Sequence, residues 1–326
     1  MDNAIVLNVE HLCTSFFTQH GEVKAVNDVS ISVPRGKIIG IVGESGCGKS
    51  MMARSIVRLL RYPGKIVSGS IKLSGKELTE LSEHEMSTVR GEEIGMVFQE
   101  PMTSLNPVMR VGLQVREALL LHRKVTPQEA NAEVLRIFRK VGISESERRY
   151  NCYPHELSGG LRQRVMIAMA MICRPKLVIA DEPTTALDVT VEAQILQLMR
   201  ALRDETGSGI VIISHNLGVI AQMCDYVYVM YAGRVVEQAE TFELFAHPSH
   251  PYTIGLMSAV ASLERGNDEL ETIPGVVPNL LHLPTGCSFS PRCSECGEHC
   301  GDAAPELREV SPGHLVRCIN ITEVRS

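Results

Sequence analysis

Residues 38–50, IIGIVGESGCGKS, decide the fold of this 326-residue chain. The apolar run Ile38–Val42 stops at glycine, as a buried strand does on entering a loop. Gly43 to Ser50 fit the pattern G-x-x-x-x-G-K-S, and the stripe Met52, Ile56, Leu59 and Leu60 predicts a helix over Ser50–Leu60. Strand, loop and helix in that order are the context a phosphate loop requires. Its glycines let successive N–H groups turn inward around an anion, and the helix N-terminus adds partial positive charge. Gly43, Glu44, Ser45, Gly46, Cys47 and Gly48 then form the cradle, Lys49 reaches the β- and γ-phosphates, and Ser50 binds Mg²⁺.

Before this segment, from Ile5 to Val33, apolar and polar residues alternate, which predicts edge-type strands joined by a turn around His20–Gly21. After it, residues from about 102 to 156 carry mainly helical patterns, for example Gln128–Lys140. A helix over Leu161–Cys173 leads into the apolar run LVIA, then a helix through Val191, Ile195, Leu198, Met199 and Leu202, then the strand IVIIS. Such alternation predicts an α/β fold with a largely parallel sheet. LVIA ends on Asp181 and Glu182, at the strand end where α/β sheets place their ligand chemistry. Asp181 suits a Mg²⁺ shell, and Glu182 suits a base that activates water. Ser158, Gly159 and Gly160 precede the Leu161–Cys173 helix, where they form either a plain cap or an anion-facing helix terminus.

Composition narrows the class. With 44% hydrophobic and 21% charged residues the chain reads as globular, with no disordered or collagen-like bias. Its longest apolar stretches, such as Val165–Cys173 and Val227–Ala232, fall short of the roughly 20 residues that span a bilayer. The start, MDNAIVLNVEHLC, lacks a basic region and a continuous apolar core, so no secretory signal is expected. A net charge of −6 argues against a broad nucleic-acid footprint.

The ordered set GESGCGKS, Gln99, LSGGLRQR, LVIADE, TALD and Ser214-His215 resembles the ATP-binding subunit of an ABC transporter, over about residues 5–236. That resemblance implies a P-loop NTPase (RecA-like) core, an antiparallel β edge subdomain and a helical subdomain at about 102–175. It implies head-to-tail closure of two subunits, with Ser158, Gly159 and Gly160 of one capping the γ-phosphate held by Lys49 of the other. It also implies that Gln99 senses the metal and the membrane subunit, that Asp188 communicates across the dimer, and that His215 contacts the γ-phosphate. Phe16 is the aromatic expected to stack on adenine, with Phe17 the alternative. Three residues depart from the common pattern. Leu161 replaces a frequent Gln; Asn216 replaces Asp after His215, weakening charged support for the imidazole; and Cys47 replaces Ser inside the loop. Backbone amides, a helix N-terminus and Lys49 around Cys47 lead to the expectation of a depressed thiol pKa.

After Glu237 the texture changes, with prolines at 248, 251, 274, 278, 284 and 291 and a group of cysteines, so a second domain is expected over 237–326. Cys287, Cys293, Cys300 and Cys318 offer four thiolates, a number suited to Zn²⁺ or to an iron–sulfur cluster, whereas cytoplasmic disulfides are disfavoured. The stretch His247-Pro-Ser-His250-Pro-Tyr-Thr253, with PGVVP and GCSFSPRC, resembles the C-terminal extension of ATPases that serve peptide and nickel importers. This second resemblance implies a structural [4Fe–4S] cluster on those four cysteines, with Cys296 a spare and Zn²⁺ the other candidate. His247 and His250 read as parts of a rigid turn. Together the resemblances imply a peripheral protein on the cytoplasmic face of the inner membrane, working with a second ATPase subunit (a copy or a paralogue). Two integral membrane permease subunits would carry the solute, delivered by an extracytoplasmic solute-binding protein. Peptides are the first expectation for that solute, then nickel or another small solute. A soluble ABC ATPase acting on DNA or ribosomes would show long coiled coils between the nucleotide motifs or two cassettes in one chain, and the sequence has neither.

Overall fold

The computed structural model of the chain describes residues 4–185, 187–264 and 273–321. The described residues divide into two compact units: those within 1–7, 33–37 and 80–213 form one, and those within 8–32, 38–79 and 214–326 the other.

The second unit holds the phosphate-loop segment. Strand Ile38–Val42 runs parallel to Tyr226–Tyr231, with Ile39 opposite Tyr226 and Val42 opposite Val229. All five of its residues are buried, as a continuous apolar run requires when both faces are covered. Arg234–Glu240 pairs antiparallel with Tyr226–Tyr231, and His314–Val316 and Arg308–Ser311 extend the sheet beyond it. A separate four-stranded sheet, in the order Gly21–Pro34, Ile5–Thr18, Gly64–Leu73 and Lys76–Glu77, contains the two alternating N-terminal segments, joined by the expected turn.

The helix after the loop runs from Lys49 to Ile56 and stops four residues before the expected Leu60. Leu59 N–H donates to the Arg54 carbonyl at 2.8 Å and Arg58 N–H to Ser55 at 3.0 Å, while Arg58 sits at φ +53°. These are the two bonds of a Schellman closure, here with arginine in the left-handed position that glycine usually fills.

The first unit is built on three parallel strands, Ile94–Val97, Leu177–Asp181 and Gly209–Ser214, with Ile94 opposite Leu177 and Leu177 opposite Gly209. The second and third of these are buried along their whole length. The helical part comprises Val111–His122, Pro127–Lys140, Ser146–Tyr150 and Gly159–Met171. Pro127–Lys140 shows how local sequence specifies a helix. Thr126 and Glu129 close a capping box, Pro127 occupies the first turn, and Ala130, Val134, Ile137 and Phe138 form the buried face. No helix among the described residues is long and apolar enough to cross a membrane.

Candidate functional site

The phosphate loop is shaped by what presses on it. At Gly43 (φ +152°) a Cβ would lie 2.2 Å from the Met230 carbonyl oxygen, and at Gly48 (φ +105°) one would lie 2.3 Å from that of Ala25. No side chain fits either position, so the backbone can make its tight turn only with glycine. Lys49 is buried, and its Nζ donates to the carbonyls of Gly43 at 2.6 Å and Glu44 at 2.9 Å, with Cys47 Sγ at 3.7 Å. The ammonium is thus held at the mouth of the turn by the loop's own oxygens. Ser50, half-buried, follows in the first turn of the helix.

Cys47 corrects the expectation drawn from its neighbours. The side chain is fully buried, and burial pushes its thiol up, outweighing the downward pull of Lys49. Amides and a nearby cation favour thiolate, but desolvation of a charged sulfur acts against them and dominates here.

The carboxylates belong to the other unit. Asp181 ends its strand with 3% exposure. Glu182 then takes a left-handed backbone, φ +49°, while its N–H donates to the Ile213 carbonyl at 2.9 Å. Such a conformation is uncommon for a residue with a side chain and turns the carboxylate off the strand direction. Its Oε2 accepts from Gln99 Nε2 at 2.8 Å and from Thr185 Oγ1 at 2.9 Å. With its amide nitrogen turned to the carboxylate, Gln99 keeps its Oε1 as the atom that can serve a cation. Carboxylate and amide oxygens are the hard donors that Mg²⁺ prefers. The Asp181 and Gln99 donor set therefore fits that ion.

Ser158 caps the Gly159–Met171 helix, accepting from the Leu161 N–H at 3.4 Å, and Ser158 and Gly159 are exposed. Asp188 caps Val189–Thr206 through the Val191 N–H at 2.9 Å. The two helix starts touch where a Cβ on Gly160 would lie 2.8 Å from Val191 Cγ1. In the phosphate-loop unit, His215 is exposed just ahead of helix Leu217–Met223. Asn216 caps that helix, its Oδ1 accepting from Gly218 and Val219 N–H at 2.9 and 3.4 Å, so its amide serves the helix. Phe16 is half-buried with its ring against Gly64, whereas Phe17 is 48% exposed.

Three neighbours of these groups escape sequence reasoning. Thr185 stands three residues after Glu182, a spacing at which a hydroxyl reaches back across a turn, and that is a usable signal. Arg292 and Tyr252 both bond Glu44 from far along the chain, where no local pattern announces them.

None of the ten cysteines, all among the described residues, is joined in a disulfide. The C-terminal group lies on loops and short 3₁₀ turns at Ser290–Arg292 and Glu298–Gly301, and the Cys287 N–H donates to the Cys300 carbonyl at 2.8 Å. Burial pushes the thiols of Cys287 and Cys318 up, and that of Cys293 to about 11. Neighbouring sulfurs add to each rise: Cys300 and Cys296 beside Cys287, Cys287, Cys318 and Cys296 beside Cys293, and Cys287 and Cys300 beside Cys318. Cys296, the expected spare, belongs to the same electrostatic group as the other four. Among the described residues, no three His, Cys, Asp or Glu side chains converge as ligands of a single metal ion.

With this geometry in view, the relatives are informative. The family model of the ABC transporter matches residues 26–185, and that of the oligopeptide/dipeptide transporter C-terminal region matches residues 236–300. The chain is 50% identical over 318 residues to the oligopeptide transport ATP-binding protein OppD of Escherichia coli (strain K12), covering 98% of this chain and 94% of that one. The OppD of Haemophilus influenzae is 50% identical over 313 residues, covering 96% of each. Among solved structures, an ATP-binding cassette captured as a dimer in a post-hydrolysis state with ADP and Pi aligns with TM-score 0.66 at 26% identity, covering 72% of this chain and 98% of that one. The cbiO1 protein of Clostridium perfringens, part of the ABC transporter complex cbiONQ, aligns with TM-score 0.65 at 28% identity, covering 81% and 100%. The chain belongs to the ATP-hydrolysing subunits of ABC transporters, in the oligopeptide/dipeptide group.

Proposed function

We propose that this chain powers an ABC importer for di- and oligopeptides from the cytoplasmic face of the inner membrane. Its partners are a second ATPase subunit and two permease subunits, with an extracytoplasmic solute-binding protein upstream. The observation that carries this reading is the 50% identity over 318 residues to an oligopeptide transport ATP-binding protein, together with the family match of residues 236–300. Residues 1–236 act as the nucleotide-binding domain and residues 237–326 as the family's extension.

In this reading the residues Gly43 to Gly48 cradle the phosphates, Lys49 pairs with them, and Phe16 stacks on adenine. Ser50, Gln99 and Asp181 hold Mg²⁺, which neutralises phosphate charge when bound. Glu182 accepts the proton of the attacking water, aimed by Gln99 and Thr185, and His215 contacts the γ-phosphate. Ser158, Gly159 and Gly160 cap the γ-phosphate of the partner's nucleotide, with Asp188 linking the two sites. Positioning and electrostatics do most of the work in such phosphoryl transfer.

A [4Fe–4S] cluster on Cys287, Cys293, Cys300 and Cys318, with Zn²⁺ the other candidate, is part of the same proposal, and the match to the oligopeptide/dipeptide transporter C-terminal region supports it.

The decisive assay uses the chain with its co-purified membrane partners. Glu182→Gln keeps a carbonyl oxygen for Gln99 and Thr185 yet removes the base, so ATP should still bind while hydrolysis falls by about 10²–10⁴-fold. Hydrolysis at the wild-type rate would reject the assignment. Stimulation by nickel in place of peptide would reassign the solute, and co-purification of ribosomes or DNA in place of permeases would reassign the system. Iron and acid-labile sulfide should be present after anaerobic purification and lost in Cys300→Ser but kept in Cys296→Ser; zinc alone would overturn the cluster.

A further inference from the structure

Glu44, the second residue of the phosphate loop, has all its polar groups engaged. Its N–H donates to Tyr252 Oη at 2.8 Å, and its carbonyl accepts from Lys49 Nζ at 2.9 Å and from the Cys47 N–H at 3.3 Å. Its carboxylate is gripped by both terminal nitrogens of Arg292, at 2.6 and 3.0 Å. Tyr252 and Arg292 lie 208 and 248 positions further along the chain, so nothing local in the loop calls for them.

Arg292 is built in from every side. Its side chain is 5% exposed. Nε donates to the Pro274 carbonyl at 2.9 Å, one terminal nitrogen also reaches the Ile273 carbonyl at 3.2 Å, and the other reaches Tyr231 Oη at 3.4 Å. The guanidinium also lies 5.9 Å from the centre of the Tyr231 ring. Tyr231, Tyr252 and Phe289 pack against one another with centroids 4.6, 5.2 and 5.4 Å apart, so the tyrosine that receives the Glu44 N–H and the segment that carries Arg292 share one aromatic cluster. Burial pushes the Tyr252 phenol up, which leaves a neutral hydroxyl as the acceptor. A buried fork of this kind is specific to arginine and costly to break from one side.

The position of Glu44 matters because its carbonyl, with that of Gly43, aims the Lys49 ammonium. Rotating Glu44 redirects that oxygen and, with it, the loop N–H groups that follow. We infer that Arg292 and Tyr252 are positioning residues for the nucleotide, holding the phosphate loop in its anion-binding turn through Glu44. The cysteine-bearing segment is therefore a working part of the ATP site. This rests on the reading that the loop holds ATP, and goes beyond it in assigning residues outside every nucleotide motif.

The test uses the purified full chain. MgATP affinity is measured by calorimetry for wild type, Arg292→Gln, Arg292→Lys, Glu44→Gln, Tyr252→Phe and the double variant Glu44→Gln with Arg292→Gln. Alkylation of Cys47 by iodoacetamide, mapped by mass spectrometry, reports loop opening independently of activity. Arg292→Gln and Glu44→Gln should each weaken MgATP binding about tenfold. The double variant should be no weaker than the worse single one, because both remove the same coupling. Arg292→Lys, which keeps the charge and loses the fork, should fall between, and Tyr252→Phe should weaken binding too. Cys47 should be alkylated faster wherever binding is weaker. If Arg292→Gln loses its cooperative thermal transition, Arg292→Lys carries the comparison. Wild-type affinity with Cys47 still protected, or losses that multiply in the double variant, would overturn the inference. Failure of the wild-type chain itself to bind MgATP would instead reject the nucleotide reading.

Discussion

Replacing His250 by Asn should flatten the acid side of the stability curve. His250 is 1% exposed, its Nδ1 accepts the Tyr252 N–H at 3.1 Å, and its ring centre lies 5.8 Å from that of Phe289. Burial holds the imidazole down at about 4, against the upward pull of the Glu237 carboxylate and the Arg317 main chain. Below its ordinary value of 6.5, the unfolded chain takes up a proton that the folded chain refuses. Stability therefore falls as pH drops from 6.5 toward 4 and is not reduced further below that. The whole shift corresponds to about 3 kcal/mol, of which about 2 kcal/mol is lost between pH 7 and pH 5. Asn at this position offers Oδ1 to the same N–H, as in an Asx turn, and has no proton to gain. It forfeits the packing against Phe289, which lowers stability by an amount that does not change with pH. His314 has the opposite sense: burial pulls it down, but hydrogen bonds and charge from Glu237 and Glu243 outweigh this and raise it. Its contribution is full below 6.5 and lost as pH rises through the raised value; being common to both proteins, it largely cancels in their difference. Urea unfolding followed by far-UV circular dichroism, appropriate because the chain has no Trp, gives the measurement at pH 5, 6 and 7. The wild-type loss between pH 7 and 5 should exceed that of the Asn variant by about 2 kcal/mol. Equal slopes would refute the claim that His250 is held neutral by burial.

Cys47 should react with iodoacetamide at pH 7.5 far more slowly in the folded chain than in urea-unfolded chain, because burial raises its thiol; equal rates would show an exposed or activated thiolate. Gly160→Ala should cost about 1–3 kcal/mol by forcing its methyl against Val191, and Val191→Ala added to it should restore the thermal midpoint; no rescue would mean that the helix starts do not meet there.

Much of the architecture was legible because it depends on short-range pattern. The runs IIGIV, LVIA and IVIIS each lie in a fully buried strand, Ile38–Val42, Leu177–Asp181 and Gly209–Ser214. The antiparallel N-terminal strands follow their alternation, and Asp181 with Glu182 falls at a strand end as read. What escaped depends on tertiary context. The early stop at Ile56 rests on Arg58 in a left-handed conformation, and without glycine the motif has no sequence mark. Cys47 departs from expectation because its amides and Lys49 are visible in sequence, whereas the desolvation that outweighs them is not. Asn216, read as a weakened support for His215, is occupied as a helix cap.

The same distinction explains why the cysteine-bearing segment looked like an appendage. Its prolines and thiols differ from what precedes them, so composition alone separates it. Contacts bind it in. Glu237, with no exposure, accepts the N–H groups of Ser249 and His250 at 2.7 and 2.9 Å and pairs with His314 Nε2 at 2.7 Å. It lies on the strand that pairs with His314–Val316, with Glu237 opposite Val316. From His250 the chain passes directly to Tyr252, and from Tyr252 to the N–H of Glu44. One run of polar contacts, buried at Glu237 and His250 and partly buried at Glu44, thus joins the sheet edge built by the C-terminal hairpin to the second residue of the phosphate loop. Buried charges are tolerable only while their partners remain. Removing the chain after residue 236 would leave the Glu44 carboxylate without Arg292 and its N–H without Tyr252, so that stretch is tied to the phosphate loop by charge pairing and hydrogen bonding as well as by packing.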